Sequence, residues 1–193
     1  MENNENNETN ETKKINIVGI NNRYQIKKLI QEKKEKKKRT EIINWNINFS
    51  ELTYEKQLEI LKNLHSVDLF NNEKKLIKTQ IERKINSYKH QDIERNILNN
   101  DKLISYDNVI EKLLKCNLLC YYCNCEMLIL YEIVRENNQW TLDRINNDIG
   151  HNYDNILISC LECNLKRRRQ SKDKFLFTKQ LKIFKSEEKY VDV

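Results

Sequence analysis

Two pairs of cysteines, Cys120-x-x-Cys123 and Cys160-x-x-Cys163, stand with 36 residues between them. Each pair puts two sulfur ligands on one tight knuckle, and two knuckles present four thiolates to a tetrahedral ion. Zinc suits that donor set. Four thiolates close the coordination shell, so the expected zinc is structural and leaves no place for a catalytic water. Asn124, directly after the first pair, tolerates the left-handed turn that a knuckle demands. Cys116 and Cys125 fit neither pair and are expected in the core as unligated thiols.

The residues between the pairs read as a hairpin that leads into a helix. "WTLDRI" alternates apolar and polar residues as a strand does, "NNDIGHNYDN" is a loop, "ILIS" is a second strand, and "CLECNLKRRRQ" opens a helix. Zinc would pin that helix start against the first knuckle. Asn164, one residue past Cys163, would then face the end of the first strand, where Asp143 projects. A carboxylate and an amide oxygen are hard ligands, suited to Mg²⁺ or Mn²⁺. Lys166, Arg167, Arg168 and Arg169 follow on the helix, where they either hold a phosphate backbone or form a solvated face.

The order Cys-x-x-Cys, "LDRI", "GH…DN", "LISCLECN" and then basic residues resembles the HNH, or ββα-metal, endonuclease superfamily, in particular its zinc-bearing members in phages and large DNA viruses. The likeness covers residues 105–175. It implies a treble-clef zinc domain that hydrolyses DNA phosphodiester bonds, with branched or nicked DNA among the candidate substrates and RNA not excluded. Asp143 and Asn164 would hold the catalytic ion, and Asn155 matches the family's loop-orienting Asn. The chain departs from the pattern at Arg144, which stands where most relatives carry the histidine that serves as general base. A guanidinium does not accept a proton near neutral pH, so Arg144 is expected on phosphate. His151 is the provisional base, its unperturbed pKa near 6.5 being suitable; a structural or phosphate-contacting role fits it equally. Tyr153, Asp148 and a water relayed by the substrate are the other candidates. By analogy with junction-resolving relatives, the helical N-terminal half could form a homodimer interface.

The rest of the chain must position these groups. Residues 1–14 are acidic, Asn-rich and expected to be disordered. Residues 15–104 read as a basic, mainly helical region that includes a Lys-dense stretch from Lys33 to Arg39. Leu58, Ile60, Leu61 and Leu64 carry one helical stripe, after a candidate cap at Thr53; Leu76, Ile77, Ile81 and Ile85 carry the next. Neither His65 nor His90 has a second ligand at metal spacing. Ser105 caps a helix with Val109, Ile110, Leu113 and Leu114 that runs into the cysteines. "SKDKFLFTKQLKIFK" reads as a last amphipathic helix with Phe175, Phe177, Leu181 and Phe184 as its apolar face, and residues 176–193 are assigned to the C-terminal helix and tail. Trp140 is expected to pack under the hairpin. The fold class is therefore α+β: a helical N-terminal region, a zinc-stabilised ββα-metal domain over residues 105–175, and a last helix.

Composition bounds the function. The 193 residues include 33% charged and 38% hydrophobic residues and carry a net charge of +6, so polyanions are plausible partners. Asn, Lys and Ile are abundant, Pro is absent and Gly occurs twice. That bias suits an AT-rich genome and weakens Asn as a turn signal. No 18-residue apolar run or secretory leader occurs, which points to an intracellular protein whose thiols stay reduced or hold metal. Two further readings stay open: an inactive treble-clef module that binds nucleic acid without cutting it, and a zinc-ribbon or RING-type protein adaptor. The second is weakened because a RING needs eight ligands.

Overall fold

The structure, a computed structural model, describes residues 36–64, 66 and 70–181, together with Ile26. The expected N-terminal tail, residues 33–35 of the basic stretch, His65 and Phe184 lie outside the described residues. A 3₁₀ turn at Thr40–Asn44 precedes three helices, α1 (Tyr54–Lys62), α2 (Asn71–Glu94) and α3 (Tyr106–Lys115). An irregular segment carrying the first cysteines follows. Then come β1 (Trp140–Arg144), a 3₁₀ turn (Tyr153–Asn155), β2 (Ile156–Cys160), α4 (Leu161–Arg167) and α5 (Lys172–Gln180). The fold is α+β, with one two-stranded sheet among the described residues. No described helix is long and apolar enough to cross a membrane.

Local chemistry accounts for the helix starts. The Thr53 side chain accepts the Lys56 N–H at the head of α1. Ser105 and Asn108 cap each other at the head of α3, which relieves two of the amides that a helix start leaves unpaired. Val109, Ile110 and Leu113 then fall on one buried face. In α1 the buried stripe is Ile60 and Leu61 with Gln57. The Gln57 carboxamide accepts the N–H groups of Ile129 and Leu130 at 2.8 and 2.9 Å and donates to the carbonyls of Leu52 and Leu130. Its whole hydrogen-bonding capacity is used, so a buried amide here stitches the irregular segment to α1 at no desolvation penalty.

β1 and β2 pair antiparallel, from Trp140 opposite Cys160 to Arg144 opposite Ile156. Every residue of β1 is buried. The alternation in "WTLDR" therefore separates two covered faces rather than a wet face from a dry one. Thr141 and Asp143 meet α4, through Asn164 and Arg167. Trp140 and Arg144 meet α2, through Lys84 and Asp92. One core runs from Trp45, Ile60 and Ile77 through Leu113 and Met127 to Trp140, Ile158 and Phe175, so helices and hairpin share it. In α5, Phe175 is buried against Tyr122, whereas Phe177 and, just past the helix end, Leu181 are exposed, so the expected apolar face is only partly covered.

Candidate functional site

The thiols come first because they fix the hairpin to the segment before it. The sulfurs of Cys120, Cys123, Cys125 and Cys160 lie within 4.8 Å of one another, and those of Cys123 and Cys160 are 3.9 Å apart. A tetrahedral ion with bonds of about 2.3 Å holds its sulfurs about 3.8 Å apart, so the four are at metal-binding distance, compatible with a structural metal such as zinc. Asn124 adopts a left-handed backbone, φ 54°. This turn, closed by the Leu119–Glu126 bridge and by the Cys120 N–H on the Cys125 carbonyl, swings Cys125 back to face Cys120. The spacing alone places Cys125 in the core and Cys163 on the metal; the structure puts Cys125 in the set of four. Cys163 sits alongside, buried, its backbone N–H donating to the Cys160 sulfur at 3.4 Å. Cys116 is half-buried, its thiol directed to the Leu113 carbonyl.

The packing of these sulfurs couples their protonation. Hydrogen bonds from the Cys125 and Cys160 thiols hold Cys120 well below the usual thiol range, and its thiolate in turn pushes both of those up, Cys160 to about 11. Without a metal, one sulfur ionises and its neighbours keep their protons; a divalent ion lets all four ionise together.

Asp143 and Asn164 both face the gap between β1 and α4, yet each is bonded elsewhere. Both Asp143 oxygens accept from the Arg167 fork, Oδ2 from Nε and Oδ1 from Nη2, each at 2.7 Å. Oδ2 also accepts from the Tyr122 hydroxyl at 2.8 Å. The Asn164 amide nitrogen donates to the Thr141 hydroxyl at 3.0 Å. The pairing follows from the two periods: residues 164 and 167 are neighbours on a helix face, as 141 and 143 are on a strand face, so Asn164 lands on Thr141 and Arg167 on Asp143. Arg167 is 1% exposed and also donates to the Arg144 carbonyl. A guanidinium thus occupies the place where a hard cation was expected.

The basic run divides. α4 ends at Arg167, and Arg168 follows in a positive-φ conformation, φ 52°, so the four residues do not lie on one helix face. Lys166 is exposed and pairs with Glu162 one turn earlier. Arg168 and Arg169 are exposed. Arg169 lines two adjoining cavities with Asn147 and Asp148. One, of about 420 Å³, also takes in Asn146 and Gln170; the other, of about 490 Å³, takes in Arg95 and Ile97.

On the opposite face of β1 stands a group that the sequence did not show. Asp92, fully buried near the end of α2, accepts the His151 backbone N–H at 2.6 Å and pairs with its Nδ1 at 2.8 Å. The Arg144 guanidinium lies 3.7 Å from the same carboxylate, and its Nη1 has no hydrogen-bond partner among the described residues. Tyr88 packs on the imidazole, ring centroids 4.4 Å apart. Gly150 makes room for this: a Cβ there would stand 2.7 Å from the Ile97 carbonyl oxygen and 2.8 Å from the Asp92 carboxylate. Asn155 fixes the loop, its amide nitrogen donating to the carbonyls of Asn146, Ile149 and Gly150 and its oxygen accepting the Asn146 N–H. Of the other proton acceptors considered, Tyr153 and Asp148 are exposed.

Burial lowers the pKa of His151 below its ordinary value, against the pull of Asp92 and with the push of Arg144 and Arg95. The folded imidazole therefore refuses a proton that the unfolded chain accepts once the pH drops below about 6.5. Stability is expected to fall as pH falls through that value, and His151→Gln to flatten the dependence. Urea denaturation from about pH 8 down to about pH 5 measures it; a wild-type slope equal to that of the variant would refute the assignment.

Asp92, Tyr88, Tyr122 and Arg95 were missed. Asp92 lies 59 residues before His151 in a polar helix, and no local spacing marks it; Tyr122 at least lies inside the first cysteine pair. Compared with family models, with curated proteins and with solved structures, the chain has no significant match.

Proposed function

We propose that this chain is a thiolate-zinc ββα module of HNH, treble-clef architecture that grips the phosphate backbone of DNA. The observation that carries this reading is the concave surface lined by Asn147, Asp148, Arg169 and the exposed Arg95, on which Arg169 lies 3.7 Å from the Asp148 carboxylate and is free to turn to a phosphate. The chain's net charge of +6 favours a polyanion there. Zinc would be held by Cys120, Cys123, Cys125 and Cys160, with Cys163 beside them, and would supply rigidity rather than a reacting water. No set of side chains on this surface presents a code for base edges, so binding is by backbone and shape.

Hydrolysis is the second reading, and the Asp92–His151 pair favours it. A neutral imidazole with Nδ1 on a buried carboxylate is paired as a general base is, but His151 is 3% exposed and would have to be uncovered to meet a substrate. Against it stands the Asp143 carboxylate, whose oxygens are taken by Arg167 and Tyr122; a Mg²⁺ or Mn²⁺ ion held by Asp143 and Asn164 would need that fork to withdraw. Supercoiled plasmid and a four-way junction, incubated with Mg²⁺, Mn²⁺ or EDTA, separate the readings. Binding without nicking in each ion is expected. Divalent-dependent nicking that Asp143→Ala abolishes would replace binding with cleavage as the function, and its persistence in His151→Ala would remove His151 from the base role.

A further inference from the structure

A groove of about 640 Å³ between α2 and α3 shares no lining residue with the thiol cluster or with the surface around Arg169. Its floor is a stripe on α3. Tyr106, Ile110 and Leu114 follow one another at intervals of four residues, so they lie along one helix face, and Leu64 from the end of α1 joins them. Ile110 is buried, but Tyr106, Leu114 and Leu64 are only half-buried. An apolar floor is thus left incompletely covered, which is the ordinary mark of a contact surface.

The two edges of the groove carry opposite charge. Asp107 and Glu111, again four residues apart, form a row beside the stripe on α3; Lys75 and Lys78 form a row on α2. All four side chains belong to exposed residues. None of them has an ion-pair partner among the described residues, so the rows stand too far apart to pair within one chain. Lys74, on the same edge, is already bonded, donating to the Ser66 carbonyl at 2.7 Å and hydroxyl at 2.9 Å. The Lys78 ammonium leans over the floor, 6.0 Å from the centroid of the Tyr106 ring.

This pattern selects its occupant. A nucleic acid strand is repelled by the acidic edge, and a uniformly acidic or basic peptide by one edge or the other. The occupant must be apolar along its middle, basic on one edge and acidic on the other, with its charges at helical pitch. A second copy of the same groove has this description. With a two-fold axis running along the groove, α2 of one copy lies over α3 of the other, so each lysine row meets a carboxylate row and the apolar stripes meet between them. An axis across the groove would set α2 on α2 and like charge on like, so the charges fix the arrangement as well as the partner.

We propose that this chain forms a two-fold homodimer through the groove between α2 and α3, with Lys75 and Lys78 of each copy against Asp107 and Glu111 of the other. The patch is small beside the interfaces of permanent dimers, so the association is reversible and in the micromolar range.

Sedimentation velocity of the full, metal-loaded chain, from about 1 to about 200 μM, tests this. A concentration-dependent shift from monomer to dimer is expected. Two charge-reversed variants decide the surface: Lys75→Glu with Lys78→Glu, and Asp107→Lys with Glu111→Lys. Each alone puts like charge on both edges and should weaken self-association by about tenfold or more. Mixed in equal amounts they should dimerise again, because the two acidic edges of one variant then meet the two basic edges of the other. Each double reversal shifts the net charge of +6 by four, so both variants stay net positive and general attraction between them does not mimic this result. A wild type that stays monomeric throughout overturns the proposal and assigns the groove to another occupant. A dimer that both variants retain, or a mixture that stays monomeric, overturns it too. These runs contain no DNA, so their failure leaves the DNA-binding reading untouched.

Discussion

Arg167→Ala is expected to destabilise the protein by about 3–5 kcal/mol, the usual consequence of removing one partner from a buried ion pair. For a chain of this size that lowers the melting temperature by roughly 6–20 °C. The effect is large because Asp143 has no water to turn to. The carboxylate is 3% exposed and the guanidinium 1%, and the fork supplies two of the three hydrogen bonds to its oxygens. Arg167 also satisfies the Arg144 and Gln170 carbonyls, so its loss releases the end of β1 and the turn after α4 together. The double variant Asp143→Leu, Arg167→Met should recover most of the loss, since both charges then leave. Calorimetry of the metal-loaded protein measures this. A loss below about 1 kcal/mol in the single variant, the range of an exposed pair, would show that the fork is not formed as described.

If the four thiols hold zinc, its removal carries the second large effect. Structural zinc on thiolates contributes about 10–16 kcal/mol near neutral pH, comparable to or greater than the whole stability of an ordinary domain. A strong chelator is therefore expected to unfold the hairpin and α4, with loss of the near-ultraviolet signal of Trp140 and Tyr122. The cysteine variants are expected to divide. Cys120→Ser and Cys160→Ser, at the two most buried sulfurs of the group, should abolish stoichiometric metal binding. Cys125→Ser should weaken it by orders of magnitude, and Cys163→Ser should weaken it less, because Cys125 is the sulfur that completes the set of four. Metal titration with a competing chromophoric chelator reads the affinities. A Cys163→Ser variant weaker than Cys125→Ser would restore the pairing that the spacing suggests.

Much of the local structure was legible because local chemistry sets it. Thr53 and Ser105 cap helices in the chain as they do in the sequence pattern, and "WTLDRI", "ILIS" and "CLECN" become strand, strand and helix in that order. The cysteine spacing marks a candidate metal site, but not which of five neighbouring sulfurs cluster as its four; that choice depends on the turn at Asn124, and in an Asn-rich chain one asparagine carries little signal. The pairing of Asp143 with Arg167 was hidden for a different reason. Asn164 and Arg167 point to the same gap, and only the phase of α4 against β1 decides which meets the carboxylate. Arg167, in the sequence one of a run of four cations, is buried because the phase of α4 turns it onto the Asp143 carboxylate. Asp92 shows the limit most clearly: its partners, His151 and Arg144, lie more than fifty residues away, and a buried aspartate in a polar helix looks like any solvated one until the hairpin is packed against it.

Fluorescence anisotropy of the metal-loaded protein on duplex DNA, across a range of salt concentrations, tests most directly whether the thiolate-clamped hairpin presents a phosphate-binding surface. Wild type should bind at low salt and lose affinity steeply as salt rises, and Arg95→Ala and Arg169→Ala should each lower the slope of log affinity against log salt by roughly 0.9, while chelation of the metal abolishes binding. No binding at low salt, or slopes that neither arginine changes, would contradict the account.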